Sequence, residues 1–330
     1  MEPEKQDQNT SGGMVVTGGI VYFGTGAPGN GAAVTLPPKS SAGTKPDAGS
    51  VPGGGTTGPN EATTGPTGTT NPPGADTAAT ASLYPGHVFT AGRNSGTCRN
   101  LTGRTLFCFA FVNHPDAKLF WNKKRRKWTE KQTQKLDEPC ADVLNQLKAE
   151  SEKEGVDLSC LYCEFTFDAP VSKTWDDTES WRDLLAKSQG FPDVDSFYRK
   201  LLETYQVSQA AFLFLTKCGG RSFASVASRG GQYNEYTILY GQSYQKPGTI
   251  LHELLHLFGA KDLYFHPLVV KTAKRLFPKS VMRTTAYREI DNLTRFLIGW
   301  HRTPKPDAVE FLEATKGITP AEYDEARKKA

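Results

Sequence analysis

From Arg104 to Asn113 the chain is a nearly continuous apolar run, the pattern of a strand buried on both faces of a sheet. Thr129-Glu130-Lys131-Gln132 is a capping-box pattern, and Leu136, Cys140, Val143, Leu144 and Leu147 then recur at helical spacing until Gly155 closes the run. Pro139 either kinks this helix or marks its true start. The pattern then predicts a strand over 157–167, a helical insertion from about Trp175 to Tyr205, and an apolar strand from Gln209 to Leu215. Arg221 to Ala227 and Tyr236 to Tyr240 read as two more strands, and Gly241 to Gly248 is turn-like. Thr249-Ile250-Leu251 leads into a helix whose Leu254, Leu255 and Phe258 pack inward. Helices are also expected over Leu268 to Phe277 and Glu289 to Trp300, and in part of Pro304 to Ala330, where Thr319-Pro320-Ala321-Glu322 is a good start. Strands followed by helices of this kind describe an α+β domain with a mixed, twisted sheet.

Composition divides the chain into three parts. Residues 1–82 are dominated by Gly, Pro, Thr, Ala and Ser, with no aromatic residue between Phe23 and Tyr84. Such a segment buries too little apolar surface to offset its ordering entropy, so it is expected to be a disordered tail or spacer. Its apolar patch, Met14 to Phe23, is too short to span a bilayer, and no membrane span is expected. The folded domain is placed at 83–303, with 304–330 as a C-terminal helical extension in which no chemistry is visible.

The formal net charge is +4, and the chain beyond the tail holds 36 basic against 29 acidic residues. Much of that excess lies in Lys123-Lys124-Arg125-Arg126-Lys127, between Trp121 and Trp128. The run has the composition of a polyanion or nuclear-import patch, but nothing else points to nucleic acid, so a solvated loop is expected. Six cysteines permit three disulfides, and Cys160-x-x-Cys163 falls in a strand, where residues three apart point to opposite faces. The tail and cysteines lean towards a secreted or cell-surface protein, whereas the polar, acidic first residues lack a signal peptide's apolar core.

The chemistry concentrates in His252-Glu253-Leu254-Leu255-His256-Leu257-Phe258-Gly259-Ala260-Lys261-Asp262, which reads H-E-x-x-H-x-x-G-x-x-D. Residues four apart share a helix face, so His252 and His256 can aim at one metal ion, with Glu253 placed to take a proton from a water held there. Gly259 can end the helix at positive φ, letting the chain return with Asp262 as third ligand and a fourth position open.

These residues resemble the metzincin clan of zinc peptidases, in the variant with an Asp third ligand found in snapalysin-like enzymes. The resemblance extends to Ser280-Val281-Met282-Arg283, at the place of the clan's methionine turn, and to the closing helix that follows. It covers roughly residues 104–300 and implies a zincin fold, one catalytic Zn²⁺ on His252, His256 and Asp262, Glu253 as general base, and Met282 as an apolar floor. It also implies that the strand at 221–227 is a sheet edge that pairs with an extended substrate. Two departures stand out. An Asp ligand lowers the metal's net charge relative to the commoner His. Where some members carry a Tyr two residues after the Met, this chain has Thr284, which leaves Tyr287 as the nearest tyrosine that could reach the metal or oxyanion. His266 and Glu289 compete with Asp262 as third ligand. The expected function is therefore a monomeric zinc endopeptidase acting on protein or peptide substrates; the alternative is a catalytically latent zincin-fold binding or surface-display module.

Overall fold

The structure is a computed structural model that describes residues 84, 86–91, 96–115, 127–171, 180–226 and 235–329. The segment read as a tail, most of the basic run at 123–127, Trp175 and Ala227 lie outside the described residues. Strand β1 (Gly103–Asn113) is followed by α1 (Glu130–Lys153), β2 (Leu158–Asp168), α2 (Ser180–Ser188), α3 (Val194–Tyr205) and β3 (Gln209–Thr216). Then come β4 (Phe223–Ser225), β5 (Tyr236–Tyr240), α4 (Pro247–Leu257), α5 (Pro267–Leu276), α6 (Asn292–Leu297), α7 (Pro306–Thr315) and α8 (Pro320–Lys329). The chain is thus mixed α and β around one five-stranded sheet of order β2-β1-β3-β5-β4. The first four of these are mutually parallel, and β4 runs antiparallel along one edge.

Helices cover both faces of the sheet, which explains why β1 and β3 are apolar throughout rather than alternating. Phe107, Phe109 and Phe111 face the layer built from α1, α4 and the later helices, while Leu106, Cys108, Ala110 and Val112 face α2 and α3. Cys160 and Cys163 likewise fall on opposite faces, as their spacing predicts. The three disulfides that an even count permits are not formed: all six cysteines are buried free thiols.

Helix α1 starts where the capping pattern places it, with the Gln132 side chain accepting from the Thr129 N–H at 3.1 Å. Pro139 lies inside it. A mid-helix proline costs about 3 kcal/mol, but Leu136, Val143, Leu144 and Leu147 are essentially fully buried at about 1.5–3 kcal/mol each. Burial wins, and the helix runs on. The insertion before β3 is two helices rather than one, broken at Gly190 (φ +83°) and restarted by Asp193, whose side chain accepts from Ser196 N–H. Strand β4 is shorter than expected, only three residues.

The C-terminal segment is not an appendage. Ala308, Phe311, Leu312, Ile318 and Tyr323 belong to the same buried cluster as α1 and α4, and Phe311 meets Phe89 edge-on. No helix among the described residues is long and apolar enough to cross a membrane.

Candidate metal centre

Helix α4 begins at Pro247, whose missing N–H costs nothing in a first turn, and passes under the sheet with its apolar residues fully buried. Gly248 is required by packing, since a Cβ there would lie 2.2 Å from the Thr285 carbonyl oxygen. The helix ends as a Schellman motif: Gly259 N–H donates to His256 O, Ala260 N–H donates to Leu255 O, and Gly259 takes φ +100°. That reversal turns the Ala260 carbonyl back onto His256, whose Nδ1 lies 2.8 Å from it. His252 Nδ1 makes the matching contact with the Val281 carbonyl at 2.9 Å, inside the turn that carries Met282.

A carbonyl oxygen only accepts, so each Nδ1 must carry a hydrogen, and in the neutral ring each Nε2 presents a lone pair. Those lone pairs converge. The two Nε2 atoms are 3.2 Å apart, and Asp262 Oδ1 lies 3.2 Å from each. Asp262 Oδ1 is itself buried, with no partner among the described residues but these two imidazoles. Three such atoms in a triangle need positive charge among them, a proton on His256 in the metal-free protein or a metal ion that displaces it. An ion held tetrahedrally at about 2.0–2.1 Å would set its ligands about 3.3–3.4 Å apart, close to what the side chains adopt. The donor set, two imidazoles and a carboxylate, suits zinc. Among the described residues, this is the His/Cys/Asp/Glu group arranged to hold an ion.

The electrostatics fit that reading. Burial pushes against the charge on His256, but the Asp262 carboxylate beside it prevails and lifts it to about 8 in the absence of metal. Burial alone would raise Asp262, yet the two histidines hold it well below the usual carboxylate range. Glu253 is raised, because burial outweighs the attraction of His256 and His252. A raised carboxylate is a better proton acceptor than an ordinary one.

Met282 is fully buried in the cluster that contains α4, and Leu263 N–H donates to its carbonyl at 3.0 Å. The turn is braced by Ser280, whose hydroxyl donates to Asp291 Oδ2 at 2.6 Å and accepts from Met282 N–H. The competing ligands are elsewhere: His266 caps α5 by accepting from Leu268 N–H, and Glu289 is exposed, pairing through its backbone with Ser280 and Val281. Tyr287 stands 44 % exposed and does not line the site. Two tyrosines do, Tyr264 and Tyr323, and the one beside the histidines is Tyr264, which the H-E-x-x-H-x-x-G-x-x-D pattern does not mark. Its ring stacks on His252 at 6.1 Å, and its hydroxyl faces both Asp262 and Arg221. Its position two residues past the third ligand was the available signal.

His252, Glu253, His256 and Asp262 form one side of an open cavity of about 610 Å³. Edge strand β4 lies along it with Phe223 and Ala224, and α8 supplies Asp324 and Arg327. Comparisons with protein families, with curated proteins and with solved structures find no match to this chain.

Proposed function

We propose that this chain is a zinc-dependent endopeptidase of the metzincin type, with His252, His256 and Asp262 as ligands and Glu253 as general base. The observation that carries the reading is the convergence of three lone-pair atoms at 3.2 Å beside a buried glutamate that opens onto a cavity. His252, His256 and Asp262 would hold the zinc ion, whose chemistry there would be Lewis acidity towards a substrate carbonyl and water. Glu253 accepts the proton of the attacking water and passes it to the leaving amine. The Tyr264 hydroxyl and Arg221 guanidinium, which face each other in the cavity, are the donors available to the carbonyl oxygen as it gains charge. Strand β4 ends the strand order and lies along the cavity, where an extended peptide would add to the sheet. The antiparallel edge, the helix–glycine–aspartate reversal and the methionine turn that holds His252 through Val281 all support the metzincin comparison.

The test pairs zinc content of the purified protein with cleavage of denatured casein by wild type and Glu253→Gln. One zinc per chain in both proteins, with turnover lowered about 10²–10⁴-fold in the variant, is the expected result. Zinc without cleavage in either protein would favour the latent binding module, and equal turnover in both would remove Glu253 from the mechanism.

A further inference from the structure

The peptide unit joining Asp262 to Leu263 is held at both ends by segments far away in the chain. Its N–H, on Leu263, donates to the Met282 carbonyl at 3.0 Å. Its carbonyl, on Asp262, accepts from the Tyr323 hydroxyl at 2.6 Å across 61 residues. Fixing both polar groups of one peptide plane fixes the ψ angle of Asp262, and with it the direction in which its carboxylate leaves the backbone. Tyr323 is itself held firmly. It is 6 % exposed, its ring meets Phe89 and Phe265 edge-on, and α8 starts with Thr319 and Glu322 in reciprocal hydrogen bonds.

We propose that Tyr323 is a positioning residue for the third metal ligand, so that the C-terminal helix completes the metal site rather than merely covering it. The inference rests on the metal reading above. An aspartate on a loop that has just left a Schellman turn has several rotamers and ψ values to choose from, whereas His252 and His256 are fixed by α4. Of the three ligands, Asp262 gains most from an external anchor. Tyr323 gives that anchor through the backbone, without touching the metal.

The experiment measures zinc affinity by competition with a chromogenic chelator in the full chain, for wild type, Tyr323→Phe and Phe311→Leu. Tyr323→Phe keeps the ring and removes only the hydroxyl. Phe311→Leu loosens the same aromatic cluster without touching Asp262 and serves as the structural control. Loss of a hydrogen bond supporting a ligand costs about ten- to hundredfold in affinity, and about tenfold is expected for Tyr323→Phe with no change for Phe311→Leu. Unchanged affinity in Tyr323→Phe, or equal weakening in both variants, would overturn the proposal. Should Tyr323→Phe fail to fold, Glu322→Ala, which frays the start of α8, should weaken zinc by a smaller factor, and no weakening there counts against it. A wild type that binds no zinc would overturn the metal reading itself, which is a distinguishable result.

Discussion

His114 is buried and His256 stands 13 % exposed at the cavity wall, and the contrast between them separates a structural histidine from a candidate ligand. His114 sits just past the end of β1, 1 % exposed, with Nδ1 2.9 Å from the Ala169 carbonyl and Nε2 2.8 Å from the Thr216 hydroxyl. Both nitrogens have partners of ordinary chemistry, and nothing further is needed. His256 also has Nδ1 on a carbonyl, but its Nε2 faces only another Nε2 and a carboxylate. So small a difference in exposure does not set their chemistry. What distinguishes them is whether the second nitrogen meets a donor or a second lone pair.

Alanine at each position breaks the comparison most sharply. His256→Ala should weaken zinc by more than the roughly hundredfold that loss of an outer partner can cost, and abolish turnover with it. His114→Ala should leave zinc affinity unchanged and cost about 1–3 kcal/mol of stability, because the Thr216 hydroxyl and Ala169 carbonyl lose their partner. Chelator competition and urea unfolding on both variants check this. Equal zinc affinity in His256→Ala and wild type would dissolve the distinction.

The legible parts of the site were those encoded within a few residues. His252 and His256 share a face because they are four apart, and Gly259 reverses the chain because it can take positive φ. Tyr323 could not be read the same way, since its partner lies 61 residues back and nothing local marks it. The helix before it, α7, carries a readable signal: Ala308, Phe311, Leu312 and Thr315 recur at i, i+3, i+4 and i+7, and all are buried. An apolar stripe of that kind must pack on something, so residues 304–330 belonged with the core. The bounds of β4 failed for another reason. Arg221 to Ala227 reads as one extended run, but only Phe223, Ala224 and Ser225 find partners on β5. A local run reports extended backbone, not where pairing with another strand stops.

Tyr264 and Tyr287 sharpen the same contrast between proximity in sequence and placement in space. Tyr264→Phe removes a hydroxyl that faces Asp262 and Arg221 inside the cavity, and turnover should fall about 10²-fold if it donates to the developing charge. Tyr287→Phe alters an exposed ring outside the cavity and should change turnover by less than about twofold, the scatter of neutral surface changes. Steady-state kinetics on casein peptides at saturating zinc decide it. A loss in Tyr287→Phe that matched that in Tyr264→Phe would mean the loop after Met282 moves onto the site during catalysis.

The gentlest test is a pH scan, because the two histidines should tilt stability in opposite directions. In the metal-free protein His256 is lifted to about 8, above its ordinary 6.5, chiefly by Asp262 working against burial. Between those values the folded chain binds more protons than the unfolded one, so this contribution is complete below 6.5 and is lost as pH rises through 8. Burial depresses His114, against the opposing hydrogen bond that its Nδ1 donates to the Ala169 carbonyl. Its contribution is therefore present above its ordinary value of 6.5 and is lost as pH falls below it. Melting temperature in a chelator should accordingly pass through a maximum and decline between pH 6.5 and 8. With excess zinc the decline should reverse: the metal must displace the His256 proton, so apparent affinity should rise about tenfold per pH unit up to about 8 and then level off. In His114→Ala the acid-side loss should shrink while the zinc-dependent reversal stays. A decline that persisted unchanged in excess zinc would mean that zinc does not compete with the His256 proton, and the lone-pair argument would fail with it.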